Sequence, residues 1–497
     1  MFTSKHIFSV ILAALLLSGT VVSCGSPAVE ETESVLAAET VPAETEPTLE
    51  DEIALQYADA DYAGDDFQIL SIAPGGKWYN NVSPTMNEIW FESMTGEAYS
   101  DAVYTRNILT EELLNIRIKP DYAAASFPEF EAPVKQRVLA GDTDMDAALG
   151  SLSFTINLAA AGHMTNLFRV DTMELDKPWY DPNIILNYGY KGEKLYAVTG
   201  AYNVYDDLSA PMILYGKQIM TEHGLQDPAE LVIEGTWTVD NMMTMAETAT
   251  VDLNGDGSMT LEHDSFGLMD NGDILIHFME GAAQPITVRD SDGIPVVNTL
   301  TENYVDIAEH IFNRVIASPG TKTDSNSLLQ PLFEENRALF YVSILACISD
   351  YRDMESDFSL LPMPKHSEEQ ENYVAPINST WCTALSIPVS VVDVERTGTI
   401  LNVLSAFSLN TVDKALHEML LGAKLIRDEE TRTMLDFVMA NKQYCWGNGY
   451  NWSGRISQVL RNQVTSQSFT VASGMQSISA SAVADLQKFL DSIEKLP

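Results

Sequence analysis

Basic residues are scarce in this sequence. Its 497 residues include 28 Lys and Arg against 71 Asp and Glu, so the formal net charge is −43 at pH 7. A protein that binds nucleic acid needs basic side chains to neutralise phosphates, and this balance therefore excludes nucleic acid as a partner. The excess of carboxylates does not identify a ligand, because a large net charge also serves solubility alone.

Cysteine is also rare, with four residues in the whole chain. Apart from Cys24 they are Cys347, Cys382 and Cys445, and three thiols cannot all pair within one chain. The sequence therefore excludes a disulfide framework. It leaves open either one bridge or three buried thiols.

The short motifs of common enzyme classes are missing. No His-Glu-x-x-His, Gly-x-Ser-x-Gly, Cys-x-x-Cys or P-loop pattern occurs. The eight His are scattered along the chain, which argues against a transition-metal site. Two carboxylates near any cleft are expected by chance among 71 acidic residues, so they carry no information about glycoside hydrolysis. We therefore predict that the chain is not an enzyme.

Long apolar runs are limited to the N-terminus. Residues 1–24 contain Lys5 and His6, then the apolar run Ile7–Leu17, and end in Val-Val-Ser-Cys24. This order is typical of a secretion signal, and the run is too short for an ordinary membrane span. No later segment is long and apolar enough to cross a bilayer.

Residues 25–64 form a stretch of low complexity. They are rich in Glu, Ala, Thr, Val and Pro, and neither Lys nor Arg occurs between Lys5 and Lys77. Such a composition cannot bury enough apolar surface to fold. It predicts an acidic, disordered tether before a folded region that begins near Asp65.

Short apolar segments alternate with amphipathic segments after the tether. We predict strands at 67–72, 117–121 and 145–150, with helices at 100–116 and 128–140 between them. Strands that alternate with helices form parallel sheets of βαβ units. The fold class is therefore predicted to be α/β.

The stretch from Gly235 to Gly267 combines a helix with a loop rich in oxygen ligands. Thr238 is placed to cap an amphipathic helix, whose apolar residues recur at i, i+3, i+4 and i+7 from Met242. After the helix, Asp, Asn and Gly recur at the spacing of a calcium loop. His263 stands at position 12, where a bidentate Glu is usual, so a turn without an ion is the alternative. The candidate ligands of a structural Ca²⁺ are Asp252, Asn254, Asp256, Ser258, Thr260, Glu262 and Asp264.

This stretch resembles a known family. A Gly-x-Trp-Thr segment that opens a helix, then Asp-x-Asn-Gly-Asp-Gly and the pair Phe266-Gly267, resembles the extracellular solute-binding proteins of bacterial ABC importers. The similarity is to the carbohydrate-type group related to maltose-binding protein, in which this loop is structural. Further segments resemble a clostridial-type branch of that group, in the family's order: Gly96–Asn107, Leu139–Asp142, Leu175–Tyr180 and Phe358–Pro364.

The resemblance implies a two-lobed, type II periplasmic-binding-protein-like fold. Each lobe would be a mostly parallel sheet flanked by helices, and crossover hinge strands would join the lobes. Lobe one would comprise residues 65–195 plus 385–442, and lobe two residues 196–384 plus 443–497. The Cys after small residues resembles the lipobox of bacterial lipoproteins, which implies that Cys24 is lipidated. The protein would be a monomer on the extracytoplasmic face of the cell membrane, held only by its lipid anchor.

A ligand is expected between the lobes, since ligands bind beyond the carboxyl ends of strands in open α/β sheets and at domain interfaces. Aromatic faces and polar side chains suit the CH faces and hydroxyl rim of a sugar. For each aromatic residue, a place in the core is the alternative. The candidate ligand residues are Trp78, Tyr79, Asn81, Ser151, Ser153, Phe154, Asp207, Trp381, Trp446 and Trp452.

Three functions remain open from the sequence. The resemblance implies a tethered receptor that closes on a small solute, an oligosaccharide, and presents it to the permease subunits of an ABC transporter. The alternative is a surface glycoside hydrolase or lyase on an unrelated scaffold, which would need an acid/base pair in one pocket. A third interpretation is an adhesion lipoprotein without a small ligand.

Overall fold

The computed structural model describes residues 47–75, 86–351, 353–422, 429–449 and 454–497. No helix within these ranges has both the length and the hydropathy needed to cross a bilayer. The predicted signal segment and residues 25–46 of the predicted tether lie outside the described residues. The rest of the predicted tether is folded, which corrects the predicted start of the folded region near Asp65. Residues Leu49–Gln56 form a helix capped by Thr48, and its Ile53 is buried where the helix packs against residues Val394–Ser408. Five residues predicted to form functional sites also lie outside the described ranges: Cys24, Trp78, Tyr79, Asn81 and Trp452.

Thirteen strands occur within the described ranges. They are β1 (Asp65–Ile72), β2 (Ile116–Ala124), β3 (Ala147–Ser151), β4 (Pro211–Gly216), β5 (Phe266–Asp270), β6 (Thr287–Arg289), β7 (Pro295–Val297), β8 (Thr321–Thr323), β9 (Ala338–Ile344), β10 (Phe358–Leu361), β11 (Ala375–Pro376), β12 (Thr383–Ser386) and β13 (Lys442–Gln443).

Seventeen α-helices occur in the same part of the chain. They are α1 (Leu49–Gln56), α2 (Ala98–Leu114), α3 (Glu131–Ala140), α4 (Leu152–Ala160), α5 (Pro182–Tyr188), α6 (Tyr205–Leu208), α7 (Lys217–Glu222), α8 (Pro228–Glu234), α9 (Val239–Ala249), α10 (Ile274–Gly281), α11 (Glu302–Ile311), α12 (Asn326–Glu334), α13 (Val394–Ser408), α14 (Lys414–Gly422), α15 (Glu429–Ala440), α16 (Gly454–Ser466) and α17 (Val471–Lys495).

The first sheet has four strands in the order β12-β3-β1-β2. β1 runs parallel to β2 and β3, whereas β12 is antiparallel to β3. Phe67, Ile69 and Leu70 of β1 are fully buried. Consecutive buried residues on a central strand indicate that both faces of the sheet are covered.

β2 continues beyond Pro120, although the sequence predicted a strand of residues 117–121. Pro120 lies opposite Ile69 of β1, and the strand runs on to Ala124. A proline lacks the N–H group that a central strand needs, but β2 is an edge strand with one unpaired side. The position of the strand in the sheet therefore explains the longer element.

The second sheet has five strands in the order β10-β4-β9-β5-β8. β4 is antiparallel to β10 and β9, and β5 is parallel to β9 and β8. The sheet is therefore mixed. Its core includes Leu214 on β4, Leu268 on β5 and Phe340 on β9, which are all fully buried.

Two stretches of chain connect the sheets. The first passage, residues 152–210, links β3 to β4, and the second passage, residues 362–382, links β10 to β12. The N–H group of Ser153 donates to the carbonyl oxygen of Ser379 at 2.9 Å. The two passages therefore lie side by side where the chain leaves the first sheet.

Helix α15 packs on the side of the second sheet, although the sequence assigned its residues to lobe one. Its residues fall in predicted lobe one (65–195 plus 385–442), but it packs against β10 and α8 on the side of the second sheet. The hydroxyl groups of Ser359 on β10 and Thr431 on α15 share a buried hydrogen bond of 2.7 Å. Because α13 and α14 pack against α2, the chain changes side between α14 and α15.

The helix predicted after Thr238 is α9. The Thr238 hydroxyl accepts a hydrogen bond from the N–H group of Asn241 at 3.3 Å, and the apolar face from Met242 is buried. On β5, a Cβ at Gly267 would lie 2.0 Å from the carbonyl oxygen of Ala246. Only glycine permits so close an approach of helix and strand.

The three cysteines in the described ranges are free and buried, so no bridge forms among Cys347, Cys382 and Cys445. Of the two alternatives that the sequence left open, the structure contains the three buried thiols.

Candidate ligand site between the two sheets

A polar cavity lies at the carboxyl ends of β5 and β9, which is where open α/β sheets bind ligands. Its volume is about 110 Å³. Pockets that enclose a whole small ligand measure about 300–1,000 Å³, so this cavity accommodates one end of a ligand. The wall combines α10, the turn before it and α16 with the second passage, and includes Asp273, His277, Glu280, Asn378, Thr380 and Arg461.

His277 and Asp270 form one ion pair of this wall. The Nδ1 atom of His277 lies 3.3 Å from Oδ2 of Asp270, whose side chain is fully buried. Burial acts against the charged imidazole, but the hydrogen bond and charge of Asp270 outweigh it and raise the pKa of His277 to about 8. The imidazolium is therefore the main form at neutral pH.

Arg461 of α16 and Asp273 form the second ion pair. The Nε atom of Arg461 lies 2.6 Å from Oδ1 of Asp273, and Nη2 lies 3.3 Å from Oδ2. Burial acts to raise the pKa of Asp273, but the hydrogen bond from Arg461 and the charge of His277 outweigh it and lower the pKa. Each basic residue in the described part of this wall is thus bonded to a carboxylate.

The first sheet contributes the end of β3. Ser151 and Ser153 are buried, and their hydroxyl oxygens lie 3.1 Å apart. The N–H group of Leu152 donates to the carbonyl oxygen of Cys382, next to Trp381. Phe154 and Trp381 are half-buried. The structure therefore brings the predicted residues of β3 and α4 to the turn that carries Trp381.

Trp446 is packed in the interior. It is 5% exposed, and its ring stacks on Tyr188 with centroids 5.8 Å apart and an interplanar angle of 29°. Phe489 meets it edge-on at 5.9 Å, and its Nε1–H donates to the carbonyl oxygen of Asn187. Trp446 also lines a separate cavity of about 230 Å³ together with Thr287 and Arg289. Because none of these residues lines the polar cavity described above, we leave Trp446 out of the proposed ligand site.

Asp207 is buried in an ionic cluster around Lys442. The Nζ atom of Lys442 lies 2.7 Å from Asp207, 3.0 Å from Asp181 and 3.3 Å from Asp206. Burial raises the pKa of Asp206 well above its usual range; Lys442 opposes this shift, and the two neighbouring carboxylates add to it. The Asp207 carboxylate has a structural partner, so we leave it out of the proposed ligand site too.

Sequence reasoning missed the charged residues of the cavity wall. A signal existed for Asp270 and Asp273, because the turn Asp-Asn-Gly-Asp follows β5 directly and such turns carry ligand groups. Arg461 offered no signal. It lies 188 residues from Asp273 along the chain, and only the packing of α16 on α10 brings them together.

The candidate calcium loop is held largely by its own hydrogen bonds. Asp252 accepts two N–H groups of the loop, both at 2.7 Å, and the side chains of Asn254 and Asp256 lie 2.9 Å apart. Asp264 is fully buried and bonded to loop amides, and the Glu262 side chain is 86% exposed. Within the described ranges, no three His, Cys, Asp or Glu side chains are grouped to hold a metal. The carboxylates of Asp252 and Asp264 are therefore each bonded to amides of the loop itself.

No protein-family model matches the chain, and no curated protein matches its sequence. Solved structures match its fold. The substrate-binding protein Lmo0181 from Listeria monocytogenes, in complex with cycloalternan, is 12% identical, with a TM-score of 0.56 over 86% of this chain and 99% of that chain. A cyclo/maltodextrin-binding protein complexed with maltotetraose is 11% identical, with a TM-score of 0.55 over 87% and 97%.

A third match has a different ligand. UgpB from Mycobacterium tuberculosis, in complex with glycerophosphocholine, is 16% identical, with a TM-score of 0.54 over 80% of this chain and 97% of that chain. Identities this low establish the fold alone, but the matches span nearly the whole of each solved chain. The chain therefore has the two-lobed α/β fold of the type II periplasmic-binding proteins.

Proposed function

We propose that this protein is a solute-binding protein that captures an oligosaccharide between its two lobes and delivers it to the permease subunits of an ABC transporter. The observation that carries the proposal is the polar cavity at the carboxyl ends of β5 and β9, bordered by the second passage. Two proteins of the same fold were solved with cycloalternan and with maltotetraose. Both ligands are neutral oligosaccharides, which suits a wall whose basic groups are already paired.

The proposed ligand residues come from both sheets. Ser153, Phe154 and Trp381 contribute from the first sheet and the second passage, while His277 and Arg461 contribute from the second sheet. The half-buried rings of Phe154 and Trp381 offer apolar faces to the CH groups of a sugar, and charged donors bond its hydroxyls strongly. The residues Trp78, Tyr79, Asn81 and Trp452 stay predictions from the sequence.

The proposed mechanism is closure of the lobes on the solute. A ligand that contacts both lobes binds the closed form better than the open form, so it shifts the population towards closure. No bond of the solute is broken in this mechanism, which makes the protein a carrier and not an enzyme. Structural relatives that act as substrate-binding proteins favour this proposal over a glycoside hydrolase or lyase.

We also propose that the protein acts as a monomer on the extracytoplasmic face of a bacterial membrane, anchored through a lipid on Cys24. The support is the order of residues 1–24, with an apolar run before small residues and Cys24. Residues 25–46 would then act as the tether between the anchor and the lobes, because the chain is folded from α1 onward. Metabolic labelling with a fatty acid tests this point, because Cys24→Ser should abolish the label.

The calcium proposal rests on the loop after α9. We propose that Asp252, Asn254 and Asp256 bind Ca²⁺ with help from the Ser258 carbonyl and Thr260. The exposed position of Glu262 and the amide bonds of Asp264 leave the ion without a bidentate carboxylate. We therefore propose weak binding, of the kind found in extracellular modules at about 10⁻⁴–10⁻³ M.

A thermal-shift screen followed by calorimetry tests the main proposal. The panel contains maltotetraose, cycloalternan, tagatose and glycerophosphocholine, each bound by a protein of the same fold. We expect a neutral oligosaccharide to raise the melting temperature and the monosaccharide to do so less. A protein stabilised by none of these compounds, or one that degrades maltotetraose, would count against the proposal.

A further inference from the structure

The segment that precedes α2 is held from one side by two buried residues of that helix. One terminal nitrogen of Arg106, Nη2, donates to the carbonyl oxygens of Glu88 and Ile89, both at 3.0 Å. Asn107 donates to the same Ile89 oxygen at 2.8 Å. Arg106 is fully buried, so these bonds fix residues 88 and 89 firmly to the first sheet's helical layer.

On its other side, Glu88 binds the first passage and the first residue of β12, where the second passage ends, through a single oxygen atom. The N–H group of Val204, in the first passage, donates to Oε1 of Glu88 at 2.8 Å. The hydroxyl of Thr383, the first residue after the second passage, donates to the same Oε1 at 2.9 Å. Close by, Val198 and Leu385 exchange two backbone hydrogen bonds of 3.0 and 2.8 Å. One buried carboxylate therefore joins the first passage, and the point where the second passage enters β12, to the segment held by α2.

The Glu88 carboxylate is buried among hydrogen-bond donors and the charge of Arg106. Glu88 is 6% exposed, and burial raises its pKa to about 7, while Val204, Thr383 and the charge of Arg106 act in the opposite direction. The titratable and charged groups that face it are Tyr99 and Arg106 of α2, Tyr202 and Tyr205 of the first passage, and Cys382 of the second.

We propose that Glu88 is a positioning residue of the hinge, which holds the two passages in one relative arrangement and thereby sets the equilibrium between open and closed lobes. This inference rests on the proposed solute-binding function. Glu88 itself touches no ligand in the proposal. It acts through the passages, because a side chain that fixes both of them restricts the directions in which the lobes can move.

Removal of the carboxylate separates this role from ordinary packing. Glu88→Leu leaves the buried Val204 N–H and Thr383 hydroxyl without their acceptor, whereas Glu88→Gln keeps an oxygen at the same place. In the full chain without ligand, we expect Glu88→Leu to speed amide hydrogen exchange about tenfold in peptides that contain Val204 or Thr383. Glu88→Gln should restore the slow exchange. Thr383→Val removes one of the two hydrogen bonds to Glu88 and should give an intermediate exchange rate. This milder variant provides the test if Glu88→Leu folds poorly.

Affinity gives the second readout. For the panel glycan that binds best, Glu88→Leu should weaken binding about tenfold at pH 6, within the usual size of coupling between sites. Ile118→Ala on the edge strand β2 is the matched control, which should lower stability without altering exchange at the passages.

Native exchange rates at both passages in Glu88→Leu and Thr383→Val would overturn the proposal. So would an affinity of Glu88→Leu equal to that of the wild type, for a panel glycan that the wild type binds. The exchange measurement needs no ligand, so it decides the role of Glu88 even if no glycan binds. Failure of the panel alone would count against the solute-binding function and not against the positioning role.

Discussion

The ammonium group of Lys442 lies 2.7 Å from the carboxylate of Asp207, in the interior between α6 and β13. Asp181 and Asp206 share the same ammonium. Burial raises the pKa of Asp206 well above its usual range; Lys442 opposes this shift, and the charges of Asp207 and Asp181 add to it. The Oδ1 atom of Asp206 has no hydrogen-bond partner among the described residues, so this carboxyl group is held through Oδ2 and Lys442.

This cluster predicts a large loss of stability for one substitution and a small change for another. Lys442→Met leaves buried carboxylates without a cation and should lower the free energy of unfolding by about 3–5 kcal/mol. Asp206→Asn keeps the shape of the side chain and removes one of the neighbouring negative charges, so it should change the same free energy by less than about 1 kcal/mol. Urea denaturation at pH 7 measures both. Equal effects of the two substitutions would contradict a cluster that depends on the cation of Lys442.

His277 predicts a pH dependence of stability. Its pKa is about 8 in the folded protein against 6.5 for a free imidazole. Stability from the charged His277–Asp270 pair is therefore fully present below pH 6.5 and is lost as the pH rises through 8. A shift of this size corresponds to about 2 kcal/mol. The free energy of unfolding should fall between pH 6 and pH 9 in the wild type. That fall should be about 2 kcal/mol larger than the corresponding change in His277→Gln.

Trp446 should matter for stability more than for ligand affinity. Its ring contacts Tyr188 and Phe489 in the interior, so Trp446→Ala should cost about 3–5 kcal/mol of unfolding free energy. Trp381→Ala, at a half-buried position, should instead weaken glycan binding while costing less stability. Chemical denaturation and calorimetry of both variants check this contrast. If Trp446→Ala were as stable as the wild type but no longer bound the glycan, Trp446 would be a ligand residue and not a packing residue.

The calcium proposal predicts a small, specific stabilisation. Millimolar CaCl₂ should raise the melting temperature relative to EDTA, because an ion that binds only the folded state stabilises it by mass action. Asp252→Asn should remove the difference, and Asp292→Asn, at an exposed position outside the loop, should keep it. Identical melting curves in CaCl₂ and EDTA would show that the loop forms without the ion.

Local sequence patterns predicted most of the helices and strands. They could not predict which residues far apart in the sequence contact each other. The capped helix α9 and the buried strand β1 follow from hydrophobic spacing, which is a local property. Pro120 was mistaken for a strand end because its place on an edge strand depends on the whole sheet. Likewise, nothing near Lys442 indicates that it meets Asp207, 235 residues earlier in the chain.

The same limit explains the candidate site. Serines at the end of β3 could be predicted, since carboxyl ends of strands carry ligand groups. The aromatic cluster around Trp446 looked like a sugar platform, but stacking on Tyr188 and the bond to Asn187 place it in the interior. A tryptophan in a Gly-rich loop gives the same sequence signal in either environment.

Calorimetric titration with neutral oligosaccharides, combined with chromatography of the recovered ligand, tests the central claim most directly. The account predicts that at least one oligosaccharide of the panel binds with a Kd of about 1 μM or below and is recovered intact after prolonged incubation. Cleavage of the bound glycan at enzymatic rates, or the absence of binding across neutral oligosaccharides of different lengths, would contradict it.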